Sequence, residues 1–127
     1  MAHEILKLKS VHPTEGYSHV AKAGKTLYIA GQVAKDGCGK LVGLGDFEIQ
    51  ARQVFTNLKN ILEEAGGSLQ HIVKMTTFLT HFNYREAFRN VRQEFFTEPF
   101  PPHTFLVVQS LAMPEYLIEV EAVAVLD

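Results

Sequence analysis

The segment FPPHTFLVV, residues 100–108, contains one side chain that could do chemistry, the imidazole of His103. The two prolines before it force an extended backbone, and the β-branched and aromatic residues after it predict a strand. His103 is therefore expected at the first position of that strand. There an imidazole either makes structural hydrogen bonds or contacts a ligand, and the pattern alone leaves both alternatives open.

Two carboxylates occur in LIEVEAVAV, residues 117–125, at Glu119 and Glu121. Alternate side chains of a strand share a face, so both project from the same side about 7 Å apart. Burial raises the pKa of a carboxyl group toward the range useful for general acid–base catalysis. Glu119 is therefore a candidate acid–base group, although interface hydrogen bonds or ion pairs would account for it equally well. For Glu121 the structural role is favoured.

Other patterns in the sequence do not predict a site. The six histidines lack HxH, HxxxH and HExxH spacings, and Cys38 has no second cysteine, so no metal site is predicted. The three glycines of GKLVGLGD, residues 39–46, lack the spacings of nucleotide-binding loops. They predict a turn before a capped helix, and Cys38 is expected to be an exposed thiol.

The elements that position these groups follow from hydrophobic periodicity. Apolar residues three or four apart predict helices over about residues 46–65 and 84–96. Asp46 is the predicted N-cap of the first helix, and Asn83 that of the second, with Glu86 completing a capping box. Strands are predicted over residues 18–23, 26–33, 72–80, 103–109 and 116–126, with a weaker one over 5–8 and a hairpin turn at Gly24-Lys25.

The order β-β-β-α-β-α-β-β predicts an α+β two-layer sandwich of the ferredoxin-like split βαβ type, with both helices on one face of a mixed sheet. Leu58 and Phe88, at the centres of the helical stripes, are predicted core residues. The other face of the sheet mixes apolar and acidic residues, so it is expected to pack against another subunit. Its predicted members include Thr26, Tyr28, Ala30, Gln32, Leu117, Glu119, Glu121, Val123 and Val125.

Composition limits the class of protein. The 127 residues suggest one domain, residues 1–127, and 46% hydrophobic with 20% charged residues is a globular composition. A net charge of −2, without a run of Lys and Arg, argues against nucleic acid as a partner. No apolar run reaches the ~20 residues of a membrane span. The first ten residues have scattered charges and lack the apolar segment of a signal peptide. A single cysteine favours the cytoplasm.

Several segments together resemble one family. They are YIAGQVA (28–34), the stretch from QARQVF to MTTFL (50–79), NVRQEFF (90–96), FPPHTFLVV and LIEVEAVAV. The chain is identified on them as a member of the Rid family, the reactive intermediate deaminases also called YjgF or L-PSP proteins. The resemblance implies a chorismate-mutase-like fold, a homotrimer with a small-molecule cleft between subunits, no cofactor, and hydrolysis of 2-imino acids to 2-keto acids. Some members are described as ribonucleases or translation inhibitors.

The resemblance also assigns site residues. It implies that Glu119 positions the hydrolytic water and that the ligand is contacted by residues Tyr17, Gly31 and Asn90. Three further cleft positions depart from the family pattern: Ala30 replaces a common serine, His103 replaces the arginine that binds the substrate carboxylate, and Phe105 replaces a small residue.

The change at His103 predicts a retained but altered site. A mostly neutral imidazole cannot pair bidentately with a carboxylate, and losing such a contact costs on the order of 2 to 3 kcal/mol, or roughly 30- to 150-fold in affinity. Amino-acid-derived imines are thus expected to be poor ligands. Three functions remain open: a deaminase for another imine or enamine, a trimer that binds a small molecule or partner without turnover, and RNA cleavage or binding.

Overall fold

The computed structural model of the chain describes residues 2–127, which form six strands and two α-helices. The helices are Phe47–Glu64 (α1) and Arg85–Arg92 (α2). The strands are Glu4–Leu6 (β1), Val20–Ala23 (β2), Thr26–Gln32 (β3), Ile72–Leu79 (β4), His103–Val107 (β5) and Ile118–Val125 (β6). Each predicted element is present in the predicted order, and most strands are one to three residues shorter at their ends than expected.

All six strands belong to one mixed sheet in the order β1-β2-β3-β6-β4-β5. Only β4 and β5 are parallel, and α2 is the crossover between them. Both helices cover the same face, so the predicted α+β two-layer sandwich is confirmed. Neither helix is long and apolar enough to cross a membrane, a finding that applies to residues 2–127.

Helix α1 forms as the sequence predicts. The Asp46 side chain accepts a hydrogen bond from the Ile49 amide (3.1 Å), which satisfies one of the unpaired N–H groups of the first turn. The helix ends before Gly66, whose φ of 95° suits glycine. Its apolar side is buried against the sheet, and Leu58 is 0% exposed, as predicted.

The start of α2 differs from the prediction. A single 3₁₀ turn, Phe82–Tyr84, precedes the helix, and its cap is His81, whose Nδ1 accepts from the Asn83 amide (3.0 Å). The predicted capping box of Asn83 and Glu86 is therefore wrong. The helix also stops at Arg92 and continues as turns, which lets the two phenylalanines that follow pack on α1. Their partner is Phe55, at ring distances of 5.3 Å to Phe95 and 5.6 Å to Phe96.

A β-bulge interrupts β3. Its register with β6 shifts between Ile29 and Gln32, so Gln32 turns into the core and is 1% exposed. The prediction that Gln32 shares the outer face with Tyr28 and Ala30 is wrong, because a strict two-residue alternation does not anticipate the extra residue of a bulge. The bulge brings Gly31 to the outer face.

The outer face of the sheet is the one that no helix covers. The alternate residues on the helix side of β6 and just before it are buried: Tyr116, Ile118, Val120, Ala122 and Ala124. The alternate residues, including Glu119 and Glu121, are partly or fully exposed on the outer face. Large apolar side chains lie exposed among them, with 54% exposure at Tyr28 and 40% at Val125.

Candidate functional site

A cavity of about 390 Å³ opens on the outer face of the sheet, next to the bulge of β3. Its lining includes four of the predicted site residues, Tyr17, Ala30, Gly31 and Glu119. The bulge, the loop before β2 and the middle of β6 therefore meet at one place. Lys35 also lines the cavity and gives it a positive charge.

Glu119 lies directly over Gly31. A Cβ added to Gly31 would overlap the Glu119 carboxylate, so the carboxylate keeps this position only while residue 31 has no side chain. Burial raises the pKa of Glu119, and the charge of nearby Glu121 raises it further. Within residues 2–127 the carboxylate has no hydrogen-bond partner. A partly buried, unpaired carboxylate with a raised pKa is suited to hold a water and exchange a proton with it.

Two buried amides of α1 fix the chain on both sides of this cavity. Gln50 donates to the Glu115 carbonyl (2.9 Å) and accepts from the Leu117 amide (2.9 Å), which anchors the segment leading into β6. Asn57 donates to the carbonyls of Val33 (3.1 Å) and Lys35 (2.9 Å), just after the bulge. The strands that carry Glu119 and Gly31 are thereby tied to one helix.

A second network supports Tyr17. The ring of Tyr17 is 52% exposed at the cavity and packs edge-on against His19, with 6.1 Å between the centroids. The His19 ring bonds to the His12 carbonyl through Nε2 (2.8 Å) and receives the Gln32 amide at Nδ1 (3.1 Å). Gln32 thus links the bulge to the loop that carries Tyr17, which lies before β2.

His103 and Phe105 lie on the opposite side of the sheet, under α2. The imidazole packs against Phe88 and Phe105, with ring centroids 5.6 Å and 4.9 Å away. Its Nε2 contacts the buried hydroxyl of Thr77 (2.8 Å), and its Nδ1 contacts Nη1 of Arg92 (3.3 Å). Burial lowers the pKa of His103 to about 4, and the positive charges of Arg92 and Lys74 contribute to this shift.

These contacts define the tautomer of His103. A guanidinium has only donors, so Nδ1 must accept from Arg92 and carry no proton. Nε2 then bears the hydrogen and donates it to the Thr77 hydroxyl. Both ring nitrogens are satisfied inside the chain, so the neutral imidazole has no N–H left for a ligand.

Asn90 is not near His103. It lies about 200° around α2 from the buried Phe88, at the usual ~100° per residue, and is exposed. There it lines a surface groove with Glu86, Arg89 and Gln93. The residue of this helix that reaches His103 is Arg92.

Apart from the exposed Asn90, the candidate site residues of one chain form two separate groups. Glu119 alternates with the buried Ile118 and Val120, so it points away from the helices. His103 and Phe105 contact Phe88 of α2, so they point toward the helices. The sheet lies between the two groups. Within residues 2–127, no three His, Cys, Asp or Glu side chains are grouped as a metal site requires.

Comparison with known proteins shows what the chain is related to. The model of the family described as endoribonuclease L-PSP, which includes the Rid and YjgF proteins, matches residues 7–126. The chain belongs to this family. It is 39% identical to a RutC family protein of Pyrococcus horikoshii over 112 residues, covering 88% of each chain. It is 30% identical to the 2-iminobutanoate/2-iminopropanoate deaminase of Dermatophagoides farinae over 115 residues, covering 91% of this chain and 89% of that protein.

A Rid protein of known structure has the same fold. The crystal structure of RidA from the Antarctic bacterium Psychrobacter sp. PAMC 21119 superimposes with a TM-score of 0.90. The two sequences are 30% identical, and the match covers 97% of this chain and 99% of that one. The predicted chorismate-mutase-like fold is confirmed.

Three residues of this Rid protein that support the candidate site, Arg92, Gln50 and Asn57, are not predicted from its sequence. Gln50 and Asn57 lie on the apolar side of α1, where an amide side chain is unusual, and that position could have identified them. Arg92 follows Phe88 by four residues, which places it beside the buried stripe of α2. That spacing gave the only signal for Arg92.

Proposed function

We propose that this Rid protein is a homotrimer that hydrolyses a reactive imine or enamine, other than the usual 2-imino acids, in a cleft between subunits. The observation that carries the proposal is the Glu119 carboxylate, which is partly buried, unpaired within residues 2–127 and seated over Gly31 beside Tyr17. The relationship to a 2-iminobutanoate/2-iminopropanoate deaminase supports the type of reaction.

The proposed reaction is addition of water to a carbon–nitrogen double bond. Glu119 holds the water and takes a proton from it as the oxygen attacks the imine carbon. The proton is then available for the nitrogen, which leaves as ammonia when the carbonyl forms. A carboxyl group with a raised pKa serves both steps, because it is closer to the working pH than an ordinary glutamate.

The two groups of site residues support a site shared between subunits. One chain keeps Glu119 on the outer face and His103 on the helix face, so a ligand that touches both groups must lie between two chains. The family is generally homotrimeric, and the apolar outer face supplies a surface for that assembly. We place the trimer in the cytoplasm, with a small-molecule ligand in each cleft.

The environment of His103 supports a substrate other than the usual 2-imino acids. The imidazole is neutral at pH 7, because its pKa is lowered to about 4. Its two nitrogens are occupied by Thr77 and Arg92, so His103 cannot replace a carboxylate-binding arginine directly. The ring of Phe105 packs beside His103, with 4.9 Å between the centroids, and fills space that a small residue would leave open.

The test is the variant Glu119→Gln, which keeps the shape of the side chain but cannot accept a proton. With a panel of imines generated in solution, ammonia release above the spontaneous rate should fall by about 10²- to 10⁴-fold. The matched control is Glu121→Gln, on the same strand and face. Equal turnover by the Glu119→Gln variant and the wild-type protein would reject the assigned role.

Two other functions remain candidates. A trimer that binds its ligand without turnover would show binding but no acceleration with any imine of the panel. RNA cleavage or binding is the function that the family description names. The net charge of −2 speaks against it, and a salt-dependent RNA titration tests it.

A further inference from the structure

Arg92 occupies an unusual position for an arginine. Its guanidinium is partly buried and lies over the ring of Phe88, 5.6 Å from the centroid. It points to the neutral Nδ1 of His103 at 3.3 Å, and not to a carboxylate. Desolvation lowers the pKa of Arg92, and the charges of Arg89 and Arg85 lower it further. The fold thus holds the positive charge of Arg92 beside the neutral His103, and within residues 2–127 no carboxylate pairs with it.

Two more arginines lie on the same side of α2 as Arg92. Arg85, Arg89 and Arg92 are four and three residues apart, so they form one stripe. Arg85 lies over the ring of Phe105, 5.8 Å from the centroid. Among residues 2–127, no carboxylate oxygen comes within 4.0 Å of any of the three. With Glu86 included, α2 carries three positive and one negative side chains, a net charge of +2.

His103 holds Arg92 in this arrangement. The Nε2–H donated to Thr77 fixes the orientation of the ring, and Nδ1 then accepts from Arg92. This contact uses one N–H of the guanidinium and leaves the other donors free. His103 is in this sense a positioning residue for Arg92.

We propose that Arg92, held by His103 and flanked by Arg89 and Arg85, forms an anion-binding subsite for a ligand with two acidic groups, an imine or enamine of a dicarboxylic acid. This inference deepens the proposed function and rests on it for the imine group. The first acidic group pairs with Arg92, and the second extends along α2 toward Arg89 and Arg85.

The charge of the helix selects the dianion. A monocarboxylate needs one guanidinium for bidentate pairing and would leave α2 with a positive charge in excess. A dianion matches the net charge of +2 on the helix. The rise of ~1.5 Å per residue separates the Cα atoms of Arg89 and Arg92 by about 4.5 Å, which suits two carboxyl groups joined by a short chain.

Binding of keto acids tests the subsite without requiring turnover. Calorimetry on the purified full-length protein would compare 2-oxoglutarate, a dicarboxylate, with 2-oxobutanoate, a monocarboxylate. We expect the dicarboxylate to bind at least about tenfold more tightly at low salt. This preference should decrease as salt screens the attraction between the second carboxylate and Arg89 and Arg85. Equal affinity for the two keto acids, or binding of neither, would overturn the proposal.

Variants then assign the residues. Arg92→Gln should weaken dicarboxylate binding by roughly 30-fold or more, and Arg92→Lys should recover part of it, since charge remains without the planar fork. Arg89→Gln should reduce the preference for the dicarboxylate while leaving the monocarboxylate unaffected. The matched control is Lys59→Gln, which removes one positive charge at an exposed position of α1. Unchanged affinity in folded Arg92→Gln and Arg92→Lys variants would refute the assignment.

Two variants of His103 test whether it positions Arg92, with dicarboxylate affinity as the measurement. His103→Asn keeps an acceptor oxygen near the position of Nδ1 and should retain most of the dicarboxylate affinity. His103→Leu removes the acceptor and should lose it, even though leucine fills similar space. Equal affinities in the two variants would show that His103 does not position Arg92. Turnover lost in the Glu119→Gln variant concerns the proposed function alone, because keto acid binding is measured without catalysis.

Discussion

At the scale of single residues, the structure changes the interpretation of His103. The sequence suggests either a structural imidazole or a ligand contact, and the geometry gives a third role, as the acceptor that orients Arg92. The sequence could place His103 at the start of β5, because the prolines and the β-branched run determine that locally. It could not show which helical residue lies above the ring, since that depends on how α2 packs on the sheet.

The lowered pKa of His103 predicts how stability depends on pH. The imidazole takes up a proton near pH 6.5 in the unfolded chain and only near pH 4 in the folded chain. Between these values the unfolded state binds more protons, so the folded protein loses stability as the pH falls through this range. The size of the pKa shift limits the loss in the free energy of unfolding to at most about 3 kcal/mol. Because His103 is only partly buried, solvent screening reduces the expected loss to about 1 to 2 kcal/mol.

The measurement is urea unfolding at fixed protein concentration from pH 7 to pH 4, for the wild-type protein and for His103→Asn. The variant cannot titrate at this position, so its free energy of unfolding should depend less on pH. Because every other ionisable group is the same in both proteins, the difference between the two curves isolates His103. Parallel curves would mean that the imidazole is more solvated than its contacts indicate.

At the scale of elements, the bulge of β3 decides the geometry of the candidate site. The strand, its hairpin and the helix α1 follow from local signals such as the Gly24 turn and the Asp46 cap. The bulge does not, because nothing between Ile29 and Gln32 marks an extra residue except Gly31 itself. A glycine within a strand pattern is compatible with a bulge, and here it also makes room for Glu119.

This close approach predicts the effect of Gly31→Ala. The added methyl group would overlap the Glu119 carboxylate, so the strand or the carboxylate must move. Because the overlapped atoms belong to the end of a flexible side chain, we expect the carboxylate to swing aside. The free energy of unfolding should then fall by at most about 1 kcal/mol, while any turnover that depends on Glu119 should be lost. The control is Gly37→Ala, where an added Cβ meets nothing within 4 Å, and a change within about 0.5 kcal/mol is expected. Wild-type turnover in the Gly31→Ala variant would disprove the close packing of Gly31 and Glu119.

At the scale of the whole molecule, the sheet separates the two groups of site residues. The sequence shows that the outer face of β6 carries both apolar and acidic residues, and this pattern predicts a subunit interface. Such an interface would bring the two groups of site residues together. The sequence alone could not show that Glu119 and Arg92 lie on different faces of one chain, because the side on which α2 packs is a property of the folded domain. In the proposed trimer, a complete site needs Glu119 from one subunit and Arg92 from a neighbour.

Mixing two variants tests this arrangement. Neither the Glu119→Gln trimer nor the Arg92→Gln trimer should have a complete cleft, so each alone should be inactive with the preferred imine. The two chains are then unfolded together and refolded at equal amounts. Each cleft takes Glu119 from one chain and Arg92 from another, so about a quarter of the clefts in randomly assembled trimers should contain both wild-type residues. Activity should therefore return to about a quarter of the wild-type value.

The control for the mixture is refolding of each variant by itself, with light scattering to confirm assemblies of three 14.2 kDa chains. A mixture that stays inactive although mixed trimers form would place Glu119 and Arg92 in the same functional unit. A stable monomer in dilute buffer would contradict the shared cleft altogether. Recovery near a quarter requires that residues on opposite faces of one sheet meet across a subunit boundary.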